Sequence, residues 1–269
     1  MDRKAFFAHL RRRDVSIFGT SLSQRQVEGI EPYLDEGKHL SLSHMAHVLA
    51  EVYHETGGGM YPVKETVYSY SKNKNPSDAT VIARLDRAWA KGQLPWVKTP
   101  YWRDGMFGRG GIQITHERNY RKLSPHVGVD LVAHPDQTLD PVIAARIAIK
   151  GLELGIFTGE KLGDHDEADG SFDHDDARSM VNGDERRPVG DGLDMGDRIE
   201  EYALDFEAAL KAGGWKEPRR FVRPDAPSQP ATAPSRGKGG LWGGIAALVA
   251  SGGAAVAAKG CEWFGWFCG

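Results

Sequence analysis

An apolar stripe that stops at three successive glycines is the strongest constraint on this chain. Apolar side chains recur at i, i+3, i+4, i+7 and i+8, namely Met45, Val48, Leu49, Val52 and Tyr53. This spacing is typical of an amphipathic helix, which must bury one face against other elements. Gly57, Gly58 and Gly59 end the helix. Glu55 therefore lies in the last turn, where a helix can border a cleft.

Other stretches also follow a helical pattern. Helices are predicted over residues 3–13, 23–36, 78–91, 139–156 and 196–211. Ser23 and Gln26 have the spacing of a capping box. Residues 61–80 are polar and are predicted to form a loop, and 107–115 a short strand or extended loop. The chain is therefore predicted to be mainly α.

Composition limits the classes of partner. The chain has 269 residues and a formal net charge of −3, which gives no basic surface for nucleic acid. The N-terminus lacks the apolar segment of a secretory signal, so synthesis in the cytoplasm is expected. The two cysteines, Cys261 and Cys268, lie near the end. They either form a small disulfide loop after export or stay as free thiols.

The composition changes sharply after the last predicted helix. We predict a folded domain over 1–215 and a Pro/Ser/Ala-rich linker over 216–240. Residues 241–258 carry no charge and are just long enough to span a bilayer, so they are a candidate transmembrane segment. An aromatic and cysteine-containing tail follows over 259–269. Membrane association through 241–258 is expected, with its topology left open.

Two glutamates and a glycine-rich loop point to a catalytic cleft. Glu55 and Glu65 are ten residues apart, with three glycines between them. Two carboxylates that face a polar cleft are the minimum equipment for hydrolysing a glycosidic bond. The loop 107–120 contributes glycines that allow close backbone approach. It also contributes neutral groups suited to sugar hydroxyls, from Gln113, Thr115 and Asn119.

Other readings of these motifs are less consistent with the sequence. A zinc motif beginning at His54 would need histidine at position 58, which is Gly58. The acidic run 159–176 breaks the EF-hand pattern, because Ala168 stands at the fifth position from Asp164. No metal or cofactor is therefore expected. Trp89, Trp96 and Trp102 either stack on sugar rings or pack in the core.

Three segments resemble glycoside hydrolase family 19, the chitinases and phage endolysins with a lysozyme-like helical fold. The first is His-Glu-Thr-Gly-Gly at 54–58, and the second is Gly-Arg-Gly-Gly-Ile-Gln-Ile-Thr-His-Glu-Arg-Asn-Tyr at 108–120. The third comprises Arg178, Val181, Asn182 and Gly183, followed by Asp197, Arg198 and Tyr202. The resemblance covers about 3–212, although Gly111 replaces the usual proline.

The resemblance implies a role for each matching residue. Glu55 would be the general acid and Glu65 the general base, and Thr115 would help Glu65 to hold the attacking water. Gln113, Asn119 and Asn182 would bind the sugar or orient the carboxylates. Arg109 is expected at the substrate-binding site, where it would pair with a carboxylate and tune its pKa.

The sequence therefore predicts an inverting glycosidase for β-1,4 bonds in an N-acetylglucosamine-containing polymer. Peptidoglycan is the first expectation, because no chitin-binding cysteine module or secretion signal is seen; this would make the chain an endolysin-type enzyme. Chitin is the close alternative substrate, and a bacterial antagonism effector is another role. A different class, a non-enzymatic membrane-active or wall-binding protein, is also left open.

Overall fold

The structure is a computed structural model that describes residues 1–15, 17–68 and 70–216. Seven α-helices are the main secondary structure of these residues. They are α1 (Arg3–Leu10), α2 (Gln24–Glu36), α3 (Leu42–Glu55), α4 (Asp78–Ala90), α5 (Glu117–Val127), α6 (Pro141–Leu154) and α7 (Met195–Ala212). The prediction of a mainly α domain is confirmed.

The strands are short and pair in two small antiparallel sheets. The first joins β1 (Val63–Lys64) to β2 (Arg109–Gly110), and the second joins β3 (Pro188–Gly190) to β4 (Leu193–Asp194). In the first sheet Val63 is opposite Gly110 and Lys64 is opposite Arg109. This register brings the polar 61–80 segment, predicted as a loop, against the glycine-rich loop.

Helix α3 is the centre of the main core. It packs most extensively against α7, and α1 also packs on α7. Its side chains Met45, Val48, Leu49 and Val52 are fully buried, as the apolar stripe predicts. Ser41 caps its first turn by accepting the backbone N–H of His44. Because α3 is buried on most sides, its polar side chains His47, Glu51 and Glu55 also lie inside the protein.

A smaller hydrophobic cluster lies apart from the main core. It is formed by Val81 and Leu85 of α4 with Ala88, Leu94, Trp102 and Phe107. Trp102 is fully buried there, and Trp89 and Trp96 pack against the same cluster. All three tryptophans therefore pack in a core.

The predicted helix boundaries differ from the structure mainly at the ends. The first helix ends at Leu10 instead of residue 13, while the capping box of Ser23 and Gln26 is present at the start of α2. Helix α5 was not predicted; its only buried side chains are Tyr120, Leu123 and Val127, and it contains Pro125.

The predictions for the C-terminal part concern residues that the structure does not describe. Most of the linker, the segment 241–258, the tail 259–269 and the cysteines Cys261 and Cys268 lie outside the described residues. Within the described ranges, no helix is long and apolar enough to cross a bilayer. Membrane association through 241–258 stays a prediction.

Candidate active site

Glu55 is the last residue of α3 and is 4% exposed. Thr56 fixes the turn after it: its hydroxyl donates to the carbonyl of Val52 at 2.7 Å and accepts the backbone N–H of Met60 at 2.8 Å. Gly57 has a φ of 57°, in the left-handed region that favours glycine. The glycine turn therefore ends the helix at the carboxylate.

Arg178 holds the carboxylate of Glu55 from inside the protein. Its Nη1 donates to Glu55 Oε1 at 2.8 Å and also to Glu51 Oε2, while its Nε donates to Asp184 Oδ1 at 2.8 Å. Burial raises the pKa of Glu55 to about 7, and the attraction of Arg178 opposes that rise. Glu55 can therefore hold a proton near neutral pH and release it beside a cation.

Glu65 follows β1 directly and is held against the backbone of Gly108. Its N–H donates to the Gly108 carbonyl at 2.7 Å, and its Oε2 accepts the Gly108 N–H at 2.8 Å. Its Oε1 accepts the hydroxyl of Tyr101 at 2.8 Å. Burial raises the pKa of Glu65 to about 7, while the hydrogen bonds from Gly108 and Tyr101 favour the ionised form.

The glycine-rich loop approaches the protein's own side chains closely. A Cβ on Gly108 would lie 2.9 Å from Gln113 Oε1 and 3.3 Å from Glu65 Oε2. A Cβ on Gly111 would lie 1.9 Å from the Tyr33 hydroxyl. We expected these two glycines to allow a ligand to approach the backbone closely. In the structure they instead allow the side chains of Glu65, Gln113 and Tyr33 to do so.

Gln113 stabilises this loop in a conformation that is uncommon for a non-glycine residue. Its φ is 48°, and its Nε2 donates to the carbonyls of Val63 and Gly110, each at 2.8 Å. The side chain thus links the loop to β1 and β2. Gln113 is therefore fixed before any ligand arrives.

An open cleft of about 390 Å³ brings together five of the seven predicted site residues. Its lining includes Glu55, Gln113, Thr115, Asn119 and Asn182. Asn119 is oriented by its Nδ2, which donates to the carbonyl of Thr115 at 2.9 Å. The cleft therefore combines one acid with neutral polar groups, as a site for a sugar polymer would, and Arg118 also lines it.

Glu65 does not line this cleft but is close to its wall. It is 6% exposed. Tyr101, which donates to Glu65, packs its ring against His116 with the ring centres 4.9 Å apart. His116 lines the cleft. The two glutamates are thus connected to the same loop, Glu55 through the cleft and Glu65 through Gly108.

Arg109 does not occupy a substrate-binding position. Its side chain is fully buried and donates to Asp78 at 2.6 Å, Asp136 at 3.2 Å and the Gly105 carbonyl at 2.6 Å. It also lies over the ring of Phe107, 3.7 Å from its centre. The expectation of substrate contact is corrected on this ground. Pairing with carboxylates does occur, and its charge opposes the raised pKa of Glu65.

Three residues of the site had no role assigned from the sequence. They are Arg178, which binds Glu55, Asp184, which binds Arg178, and Tyr101, which binds Glu65. The spacing of Glu51 and Glu55, four residues apart on a helix with a buried face, was a usable signal, because two adjacent buried carboxylates need a cation. No local pattern indicated Tyr101.

One group among the described residues could hold a metal by distance alone. Asp175, Asp194 and Asp197 offer oxygens within 4.8 Å of one another. Asp194 and Asp197 form the capping box of α7, and Arg186 donates to Asp175 at 2.7 Å. These contacts account for the cluster as a helix cap and an ion pair.

The comparison with protein families agrees with this geometry. The family model described as "Chitinase class I" matches residues 37–160. This segment, somewhat less than half of the chain, is similar to glycoside hydrolase family 19. The matched segment contains Glu55, Glu65 and the whole 107–120 loop, but it ends before Arg178 and Asn182. The resemblance noted in the sequence is thereby confirmed.

Curated relatives of the chain are plant chitinases. "Chitinase 11" of Oryza sativa subsp. japonica is 50% identical over 44 residues, 16% of this chain and 17% of the relative. An "Endochitinase" of Solanum tuberosum is 31% identical over 111 residues, 39% of this chain and 30% of the relative. The chain therefore matches less than a third of the length of these two relatives.

Solved structures of chitinases are similar over a larger share of the chain. Chitinase C from Streptomyces griseus HUT6037 has a TM-score of 0.43 and 19% identity, covering 79% of this chain and 76% of that chain. A class IV chitinase from Zea mays has a TM-score of 0.38 and 16% identity, covering 78% and 90%. At these values the similarity adds no argument about activity.

Proposed function

We propose that this protein is a glycoside hydrolase that cleaves β-1,4 bonds in a polymer of N-acetylglucosamine, with chitin as its substrate. The observation that carries the proposal is the position of Glu55, a buried carboxyl group with a raised pKa that lines a polar cleft. A carboxyl group that keeps its proton near neutral pH is what a glycosidase needs to protonate a leaving oxygen.

Glu55 acts as the general acid in this proposal. Arg178 donates to its Oε1, so Oε2 is the atom available to the glycosidic oxygen. When the proton leaves, the cation of Arg178 stabilises the carboxylate that forms. General acid catalysis of this kind contributes roughly 10²–10⁴-fold to a rate.

Glu65 acts as the general base. Both of its oxygens accept hydrogen bonds, from Tyr101 and from the Gly108 N–H, which favours the ionised state that a base requires. In an inverting enzyme the base activates a water on the opposite face of the sugar, with the carboxyl groups about 6.5–9.5 Å apart. Thr115, at the cleft wall, is the proposed second ligand of that water.

Sugar binding is proposed for the neutral side chains of the cleft. Gln113 and Asn119 are already oriented by hydrogen bonds to the backbone, so they lose little conformational freedom when a ligand binds. Asn182 lies on the same cleft, contributed by the segment after Arg178. Amide groups of this kind suit the hydroxyl and N-acetyl groups of the polymer.

Chitin is better supported than peptidoglycan. The matching family model is described as a chitinase, and the named relatives are plant chitinases. The earlier preference for peptidoglycan rests only on the missing cysteine module and signal in the sequence. An endolysin role has no support from the relatives.

The decisive experiment compares the full chain with its Glu55→Gln variant on chitin oligosaccharides and on peptidoglycan. We expect the wild-type protein to hydrolyse chitin oligosaccharides, and the variant to lose roughly 10²–10⁴-fold in kcat, because glutamine cannot donate the proton. Glu28→Gln, an exposed site on α2, is the matched control and should retain full activity.

Other outcomes would reject parts of the proposal. If the wild-type protein hydrolysed peptidoglycan but not chitin oligosaccharides, peptidoglycan would be its substrate instead of chitin. Equal activity of Glu55→Gln and wild type would exclude Glu55 as the acid. Binding of either polymer by the wild-type protein without any hydrolysis would favour the non-enzymatic alternative.

A further inference from the structure

A polar stripe runs along the buried face of α3 and ends at the candidate acid. Ser43, His47, Glu51 and Glu55 stand at every fourth position, so they share one face of the helix. His47 and Glu51 are fully buried. Buried polar groups are costly unless they are paired, and packing alone gives no reason for two of them here.

A series of contacts extends the stripe from His47 towards the surface at α7. His47 Nδ1 lies 3.3 Å from Nδ1 of His174, and His174 Nε2 lies 3.4 Å from Oε1 of Glu207. Glu207 in turn accepts the hydroxyl of Ser43 at 2.6 Å and the ammonium of Lys211 at 2.7 Å. At the inner end, His47 Nε2 faces Oε1 of Glu51 at 3.6 Å.

The negative charge of Glu207 determines which nitrogen of His174 carries a hydrogen. Its contacts with His174, Lys211 and Ser43 lower its pKa to about 2, so it is an ionised carboxylate and can only accept hydrogen bonds. His174 Nε2 must therefore carry a hydrogen. If the other nitrogen of His174 carries no hydrogen, it is an acceptor, and Nδ1 of His174 then accepts from Nδ1–H of His47 at 3.3 Å.

The same reasoning then fixes the state of Glu51. Burial is the largest of the causes that hold the pKa of His47 well below its usual range, and the charge of Arg178 acts in the same direction, so His47 is neutral. With its hydrogen on Nδ1, its Nε2 is an acceptor. That nitrogen and Oε1 of Glu51 are both buried, accept no other hydrogen bond and lie 3.6 Å apart, just beyond hydrogen-bond distance. The two atoms attract each other only if the oxygen carries a proton.

We propose that His47 and His174 are positioning residues that hold Glu51 protonated and so reserve the charge of Arg178 for Glu55. The proposal deepens the proposed function, since it rests on Glu55 being the general acid. It assigns a task to the buried imidazoles, which do not touch the cleft.

Charge balance around Arg178 shows the consequence for Glu55. Two cations, Arg178 and Arg187, face Asp184, at 2.8 Å and 3.1 Å. With Asp184 ionised and Glu51 neutral, one positive charge remains for Glu55 when it gives up its proton. If Glu51 were ionised instead, it would neutralise that charge and repel the conjugate base of Glu55.

Other ionisable groups surround this network and are part of any pH effect. On α3 and its C-terminal turn they are His44 and His54. From the 160–187 segment they are Glu160, His165, Asp166, Asp176, Asp184 and Arg187, and from α7 they are Glu207 and Lys211. His165 pairs with Asp176 at 3.3 Å and His44 with Asp166 at 2.9 Å, outside the stripe.

The first test is the alkaline limb of the pH profile of kcat/KM on a chitin oligosaccharide, which reports the loss of the acid's proton. His174→Phe removes the acceptor of His47, so Glu51 can ionise and repel the conjugate base of Glu55. We expect the limb to move to higher pH by about one unit. His44→Phe is the control, because His44 packs on the ring of Phe172, as His174 does, but lies outside the stripe.

A rescue experiment separates this role from a general packing role. Glutamine at position 51 resembles the protonated acid and cannot ionise. The Glu51→Gln/His174→Phe double variant should therefore return the limb to its wild-type position, whatever its effect on the rate. If Glu51→Gln alone moves the limb to lower pH, Glu51 is ionised in the wild-type protein and the proposal is overturned.

A direct measurement does not depend on activity or on a variant that folds. Nitrogen-15 NMR of the imidazoles in the full chain near pH 7 should show His47 as the Nδ1–H tautomer and His174 as the Nε2–H tautomer. An imidazolium at His174, or hydrogen on Nε2 of His47, would overturn the proposal. Because no substrate is involved, this result stands even if chitin hydrolysis is not found.

Discussion

The hydrogen bond from Tyr101 to Glu65 sets the acidic side of the pH dependence. The tyrosine hydroxyl donates to the carboxylate and stabilises its ionised form. Tyr101→Phe should therefore raise the pKa of Glu65, and the acidic limb of kcat/KM should move to higher pH. Tyr68→Phe, on a neighbouring half-buried ring, is the control in the same assay. An unmoved limb in Tyr101→Phe would show that Glu65 is not the base.

Glu55 should make the folded protein less stable as the pH rises. Its pKa in the folded state, about 7, lies above the 4.5 of the free side chain. The contribution of Glu55 to the free energy of unfolding is fully present below pH 4.5 and is lost as the pH rises through 7. The Glu55→Gln side chain cannot ionise. Between pH 4.5 and pH 8 the free energy of unfolding of this variant should therefore rise, relative to that of the wild type, by up to about 3 kcal/mol.

Urea unfolding at pH 5 and pH 8 measures this difference. The stability of the variant relative to the wild type should be higher at pH 8 than at pH 5, because glutamine resembles the protonated acid that the wild type carries at pH 5. A constant difference between the two proteins would mean that Glu55 ionises normally in the folded state.

The sequence identified single residues where a local motif surrounds them. Glu55, Gln113, Thr115 and Asn119 belong to continuous segments, and the structure brings them to one cleft with Asn182. Arg109 belongs to the same loop, yet its side chain is buried because Asp78 and Asp136 lie on its inner side. Which side of a loop a side chain occupies depends on distant partners, and a local pattern does not contain them.

Gly29 determines how closely α2 approaches the turn after α3. A Cβ on Gly29 would lie 2.4 Å from the carbonyl oxygen of Met60, which is backbone. Alanine should therefore force the helix and the turn apart, at a cost of roughly 1–3 kcal/mol, despite its better helix propensity. Gly163→Ala, where nothing lies within 4 Å of the added atom, is the matched control.

Thermal unfolding of the two alanine variants tests this packing. A lower midpoint for Gly29→Ala than for Gly163→Ala is expected. Because Gly29 packs beside the segment that leads from Glu55, the variant should also lose turnover. Equal midpoints would show that the turn can move away without cost.

Elements with a strong apolar period were predicted well, and the short ones were not. Helices α2, α3, α6 and α7 lie within a few residues of their predicted ranges. Strand β1 lies in a segment predicted as loop, since a two-residue strand has no period to detect. Its pairing with β2 requires residues about 46 positions apart to meet, and only the tertiary fold brings them together.

At the scale of the whole molecule, Arg109 joins the smaller hydrophobic cluster to the rest of the protein. It binds Asp78 at the start of α4, and also Asp136 and the hydroxyl of Tyr120, at 3.2 Å and 3.3 Å. Arg109→Met should loosen α4 while leaving α3 and α7 intact. Amide exchange in α4 should become at least roughly tenfold faster, since each lost bond to a charged group costs about 1.5–3 kcal/mol.

Hydrogen exchange followed by mass spectrometry resolves these helices separately. Asp35→Asn is a suitable control, because Asp35 pairs with Arg3 and Lys38 at the surface, away from α4. Uniformly faster exchange in every helix would instead indicate that Arg109 supports the whole fold.

The hydrogen-bond donors to Glu65 and Glu55 differ in whether an amino-acid substitution can remove them. Glu65 accepts one hydrogen bond from the main-chain amide of residue 108, and every amino acid except proline would keep that amide. The cation that binds Glu55 is instead a side chain, that of Arg178, which a substitution can remove. A laboratory evolution experiment that selects for activity at a new pH should therefore collect substitutions around Arg178 and few that remove the amide donor. The side chain of Tyr101 is then the remaining route by which substitution can move the acidic limit.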